Sequence, residues 1–266
     1  MRTESRKTSA RSAGGREVRP TVRLCADSGF SEVIQYVRLV RKFCLPFLAL
    51  FAASSTYGQQ TIFDVPSADV LDKGKVYGEL DGTVRPLDPL ATFTPRVVLG
   101  VGHRIEAGVN FNGLTAPTTG QLEISPIVKW RLWDRQASGW SLYAGDDLFF
   151  PVRERTYNAG NYFYASFAKE WKHGTRIGFG GYDFTRNVVA TANRAGGQFT
   201  FEQRVSNRLT LAAEWYTGNQ AVGYLNPGAI VKLTPRLTFY AAYQIGNAGV
   251  TTGNHQFLWE IRYNFN

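Results

Sequence analysis

The chain closes on Gln256-Phe257-Leu258-Trp259-Glu260-Ile261-Arg262-Tyr263-Asn264-Phe265-Asn266. Phe257, Trp259, Ile261, Tyr263 and Phe265 share one parity. Gln256, Glu260, Arg262 and Asn264 share the other, with Leu258 as its one apolar member. A period of two sends successive side chains to opposite faces of a sheet. One face here is apolar and aromatic, the other polar and charged. A water-soluble sheet would bury the apolar face against a core. A closed barrel in lipid would turn it outward and keep the polar face inside.

The same alternation recurs upstream. Leu237, Phe239, Ala241, Tyr243 and Ile245 oppose Thr238, Tyr240, Ala242 and Gln244, and Ile105, Ala107, Val109 and Phe111 oppose Glu106, Gly108, Asn110 and Asn112. Reading on gives twelve expected strands: 75–85, 95–102, 104–113, 121–133, 140–150, 161–171, 175–184, 197–205, 208–217, 223–233, 236–246 and 255–265. Connections after even strands are mostly very short (His103, 134–139, 172–174, 206–207, 234–235), and those after odd strands are generally longer (86–94, 114–120, 151–160, 185–196, 218–222, 247–254). A soluble sandwich has no reason to sort loop lengths by end, whereas an outer-membrane barrel keeps short turns on one side and long loops on the other. An even count also lets the first and last strands pair antiparallel, leaving no edge. Trp130, Trp133, Trp140 and Trp171 flank the short-turn end, and Phe150, Trp215, Tyr216 and Tyr243 lie toward the long loops, as two interfacial girdles require.

Composition agrees. Aromatic residues make up 14% of the chain and glycine 27 positions, which suits a sheet with many turns. The net charge is +9, but residues 1–58 carry +6 of it and 59–266 only +3, so no nucleic-acid partner is expected. Both cysteines, Cys25 and Cys44, fall in that first part. Arg38, Arg41 and Lys42 precede the apolar run 43–53, and small residues to Gly58 follow. This pattern predicts a signal peptide over 37–58, with Thr56 and Gly58 as one cleavage pair and Ala52/Ser54 or Ala53/Ser55 as alternatives. Residues 1–36 read as an extension that is either disordered or upstream of a true start near Val33 or Val37.

Export signal, alternating hairpins and an aromatic terminal strand together resemble bacterial outer-membrane β-barrels, porin-like in kind, over roughly 75–266. The resemblance implies an all-β, up-and-down antiparallel transmembrane barrel of about twelve strands. It also implies outer-membrane lipid and the barrel-assembly machinery as partners, with Trp259, Ile261, Tyr263 and Phe265 as the assembly signal. Many such chains end on the aromatic itself; this one ends on Asn266.

Some positions fit poorly. Pro126 and Pro227 interrupt strands and suggest bulges or bends near the outer rim. Asp146 and Asp183 fall on the lipid parity unless Gly145 or Gly181 carries a bulge. Residues 59–74 form a periplasmic N-terminal segment before the barrel. Within it, 66–74 reads as a helical turn capped by Ser67 and stopped by Gly74. A surface tether is the preferred reading, and the alternative is a segment that covers the periplasmic mouth or enters the lumen as a small plug.

No phosphate cradle or zinc motif is present, and His103, His173 and His255 are too far apart to meet, so neither cofactor nor metal is expected. Asp146, Asp147 and Asp183 offer oxygen ligands but come from non-adjacent strands. Inward parity collects Glu79, Asp81, Arg85, Arg96, Glu106, Glu123, Lys129, Arg131, Glu170, Arg176, Glu202, Arg204, Glu214, Lys232, Glu260 and Arg262. Such a lining either sets a transverse field across a water-filled pore or pairs up and locks the interior. The first is preferred: a narrow passive channel for small polar solutes, with Arg186 and Arg194 of loop 185–196 at its constriction. The alternatives are a sealed barrel acting as an anchor or adhesin through its loops, and a lipid-modifying hydrolase using His255. The expected class is not an enzyme.

Overall fold

The computed structural model describes residues 61–86, 90–116, 120, 122–135, 137–155, 157–189 and 193–265. The expectations for 1–36 and 37–58 lie outside the described residues. Thirteen strands follow one another: β1 (Val76–Val84), β2 (Ala91–Gly102), β3 (Ile105–Asn112), β4 (Leu114–Ala116), β5 (Leu122–Arg135), β6 (Trp140–Arg153), β7 (Gly160–Glu170), β8 (Thr175–Phe184), β9 (Ala195–Arg204), β10 (Leu209–Tyr216), β11 (Tyr224–Lys232), β12 (Leu237–Gly246) and β13 (Gln256–Asn264). A four-residue helix, α1 (Arg186–Val189), interrupts the β8–β9 loop. Strands β3 and β4 are one stave broken at Gly113, so the sheet has twelve staves. Every neighbour pair is antiparallel, and β1 pairs with both β2 and β13. The sheet is therefore a closed barrel.

Burial settles which face is which. Phe257 is 53% exposed, Phe163 50% and Trp130 49%, while the opposite-parity Tyr77, Tyr164 and Lys129 are at 0%. A soluble sheet would show the reverse. The apolar face is the outer wall, and the polar face lines the interior. Aromatics on the outer wall cluster as girdles do. Lys169 places its ammonium 5.6 Å from the Trp140 ring and 5.5 Å from Trp171 at the short-turn end. At the other end Trp215 stacks on Phe199 and donates to Asn247 Oδ1 at 3.1 Å. No helix among the described residues is long and apolar enough to cross a membrane.

The strand bounds follow the periodicity, with instructive departures. Strand β2 starts at Ala91 because its first residues pair with β4, so part of the expected loops 86–94 and 114–120 extends the hairpin. The prolines make no bulge. Register runs straight through both, but β5–β6 pairing skips Ser125 and Pro126, and β11–β12 pairing skips Asn226 and Pro227. Each proline therefore costs rungs on one side without shifting the other. The β5–β6 register shifts elsewhere, between Leu122 and Glu123 and between Arg131 and Trp133, and the second shift puts Leu132 and Trp133 both on the outside. Neither Gly145 nor Gly181 carries a bulge, so Asp146 and Asp183 do face outward. Each has a polar partner there: Asn161 Nδ2 donates to Asp146 at 3.1 Å, and Arg194 lies 3.3 Å from Asp183. Phe265 is buried and follows the last strand instead of extending its outer face.

Candidate functional site

The interior is occupied by the chain's own N-terminal segment. Ile62, Phe63, Val65, Ala68, Val70 and Leu71 are each 7% exposed or less. The tether expected for this stretch is thus a luminal insert, because its apolar side chains find cover inside the barrel that water would deny them. The helical turn expected over 66–74 is absent. Ser67 Oγ accepts from the Asp69 amide at 3.3 Å, but the backbone only bends at Ala68 without forming helix, and Gly74 turns the chain into β1.

Glu214 on β10 organises the insert. A tight turn, closed by Ile62 N donating to Val65 O at 2.9 Å, points its amides at this carboxylate. Phe63 N donates at 3.0 Å, Asp64 N at 2.7 Å and Val65 N at 2.9 Å. Consecutive amides aimed at one anion form a concave nest that favours negative charge. Asn226 Nδ2 adds a fourth donor at 2.8 Å. Beside the turn, Phe63 packs with Ala212, Ile230, Tyr240, Ala242 and Leu258. It rests on Gly228, where a Cβ would come within 2.6 Å of the phenyl ring, so only glycine leaves room.

Further fastenings run toward the short-turn mouth. Tyr143 donates to Pro66 O at 2.9 Å. Arg176 bridges Asp69 at 2.8 Å and Glu202 at 2.7 Å. Leu71 N donates to Glu106 at 2.8 Å, and Lys129 lies 2.9 Å from the same carboxylate. At Gly100 a Cβ would sit 2.0 Å from Asp72 O, which marks where the segment's backbone packs closely on the end of β2. Burial works to raise the Asp69 carboxyl, but the Arg176 guanidinium beside it holds it below the ordinary value. Asp64 opens toward the long-loop side, yet enclosure by the barrel pushes its carboxyl up against the pull of Arg96.

The insert divides the lumen. Toward the short turns lies a cavity of about 470 Å³ lined by Asp69, Arg176, Glu202, Arg204, Lys232 and Arg262 among others. Toward the long loops lies one of about 360 Å³ with Asp64, Asp81, Asp147 and Arg96 in its wall. No residue lines both. The insert thus lies between the two cavities, in the path of the expected open passage.

The inward residues named from parity do face inward, and several of them pair with neighbouring polar or charged groups. Arg96 lies 2.8 Å from Glu79 and 3.1 Å from Asp81. Arg131 lies 3.5 Å from Asp134. Glu123 accepts from Asn112 at 2.9 Å and from the Tyr157 hydroxyl. Arg262 lies over the rings of Tyr77 and Tyr240, 5.3 and 5.0 Å from their centroids. Arg204 is exposed at the short-turn mouth. Glu260 stands 1% exposed with neither oxygen hydrogen-bonded.

Loop 185–196 does not deliver a basic constriction. Arg186 is exposed and Arg194 pairs with Asp183 on the outer wall. It is Val188 and Val189 that turn in, against a cluster of Tyr162, Tyr182, Phe184 and Tyr216. Within it Tyr162 stacks on Phe184 at 4.6 Å, and its hydroxyl lies 2.6 Å from that of Tyr216. Parity alone missed this aromatic collar; its signal was tyrosine on the polar face of successive strands. Asp147 faces the lumen while Asp146 and Asp183 face out, so those three carboxylates do not meet. His255 stacks on Tyr243 at 5.9 Å, and no serine stands on the outward face of β1, β12 or β13.

No family model matches the sequence, and no curated protein does. Solved structures do share the backbone. A NanC porin aligns with a TM-score of 0.51 at 11% identity, over 71% of this chain and 99% of that one. The fold is that of bacterial outer-membrane barrels. An outer-membrane channel from Pseudomonas putida F1 aligns at TM-score 0.47 and 14% identity, over 76% and 98% of the two chains. Outer membrane phospholipase A from Escherichia coli aligns at 0.43 and 12%, over 74% and 94%. At such identities the likeness extends to the fold alone.

Proposed function

We propose that this barrel resides in a bacterial outer membrane and passes small polar solutes, with residues 61–74 as its gate. The observation that carries this reading is the polar cavity on each side of the insert, lined by both signs of charge. A barrel serving as an anchor alone has no need of water-lined space above and below a removable segment. The fastening is largely polar: the nest around Glu214, an amide on Glu106, the Asp69–Arg176 ion pair, hydrogen bonds from Tyr143 to Pro66, from Asn226, Gln244 and Tyr216 to Asp64 and from Arg96 to Thr61, and a single aromatic anchor, Phe63. Passage is passive and calls for no cofactor, and selectivity arises from the paired luminal charges. Catalysis is not part of the reading.

A sealed anchor is the second reading, favoured by the apolar cover over Ile62 and Phe63. Planar-bilayer conductance separates the two. Wild-type barrel should open rarely, and Glu214→Ala should open far more often. If both stay silent while correctly folded, the channel reading fails and the anchor stands. Lipid release from vesicles, lost in His255→Ala, would overturn both.

A further inference from the structure

The seam where the barrel closes carries an unbalanced charge. Asp81 on β1 and Glu260 on β13 are directly opposed in register, and both side chains point into the lumen. Like charges facing each other across an antiparallel pair are destabilising. Glu79, one pleat along, joins them; one oxygen from each of the three carboxylates lies within 4.8 Å of the others. The cations nearby are otherwise engaged. Arg96 donates through Nε to Asn110 and through Nη1 to Thr61 and Glu79, and its Nη2 lies against Asp81. Arg262 lies over two tyrosine rings.

Glu260 feels the charge of both arginines but accepts no hydrogen bond from either. It is 1% exposed, and both of its oxygens lack a hydrogen-bond partner. Asp81 Oδ1 is likewise unpartnered. A buried carboxylate without a partner costs several kcal/mol, so this point calls for a counter-charge or a proton. The cavity on the long-loop side leads there: Asp81 is in its wall, with Asp64 and Asp147 making the approach acidic.

We propose that Glu79, Asp81 and Glu260 bind a hard divalent cation of the calcium class on the luminal side of the β1–β13 seam. The free oxygens of Glu260 and Asp81 supply the irregular all-oxygen shell that calcium tolerates and magnesium resists. The cation ties the first strand to the last, where no covalent link exists. The site does not depend on whether the barrel conducts.

Calorimetric titration of the detergent-solubilised full barrel with calcium chloride tests it. Wild type should show one saturable site, and Glu260→Gln should weaken it by at least about ten-fold through loss of a charged ligand. Asp81→Asn should do the same and serves if Glu260→Gln does not fold. Glu170→Gln, a carboxylate at the other cavity, should bind as wild type does. Absence of saturable binding by folded wild type at millimolar calcium overturns the proposal. So does undiminished binding by Glu260→Gln and Asp81→Asn. If wild type takes up no calcium while Glu260→Gln melts higher, a shared proton holds the seam, and the cation site is wrong.

Discussion

Glu214 and Glu260 are alike in every local respect. Each is a glutamate on the luminal parity of its strand, and each is 1% exposed. Their surroundings are opposite. Glu214 accepts from three backbone amides and one side-chain amide, whereas Glu260 accepts from no group. The first is satisfied by a distant piece of its own chain, the second faces another carboxylate across the seam. Burial of a charge therefore says little by itself; what matters is who was placed opposite it.

The largest test of this contrast is Glu214→Ala. It leaves three inward amides without an acceptor, at about 1–3 kcal/mol for each buried donor. The insert should leave the lumen, seen as rapid hydrogen exchange at 62–71 together with raised conductance. Slow exchange there would mean that apolar packing holds the segment alone. Phe63→Ala addresses that packing. A buried phenylalanine cut to alanine costs about 3–5 kcal/mol where the site cannot collapse, and somewhat less if the insert loosens. Thermal melting should fall in this variant, and an unchanged midpoint would reduce Phe63 to a bystander.

Glu260→Gln should move stability in the other direction. In chelator it removes an uncompensated buried charge, so the melting temperature should rise by the equivalent of about 1–3 kcal/mol. A fall would show that Glu260 has a partner after all, and the contrast with Glu214 would dissolve. The smallest effect concerns Asp69. Its carboxyl is lowered in the folded barrel, so its bond to Arg176 contributes above the ordinary carboxylate range and is lost as pH falls through the lowered value. Protease access to the insert should therefore increase in acid, and Asp69→Asn should flatten that dependence. A wild-type profile without acid sensitivity would remove Asp69 from the fastening.

The outer wall was legible because its signal is local. A period of two needs no knowledge of partners, and it placed Phe257, Trp259 and Ile261 on the lipid side and Glu260 and Arg262 inside. Loop lengths added the closed topology. The insert was not legible, since Phe63 meets Glu214 across 151 positions of sequence. Its hint was the density of apolar residues from Ile62 to Leu71, too high for a solvated tether. Pro126 and Pro227 misled for a related reason. A proline lacks one donor, but whether the neighbouring strand shifts or simply forgoes a rung depends on the sheet as a whole. Arg186 and Arg194 were placed by charge, while the loop was folded by Val188 and Val189.

The division of aromatics between the two faces has an optical consequence. All six tryptophans stand on the outer wall or at its rim, and the interior has tyrosine instead, with Tyr77, Tyr143, Tyr164 and Tyr240 each at 1% exposure or less. Indole rings suit the lipid–water boundary, and phenol rings suit a confined polar interior. Indole emission therefore follows the lipid around the barrel, while phenol emission comes from both faces, since Tyr243 and Tyr263 stand on the outer one.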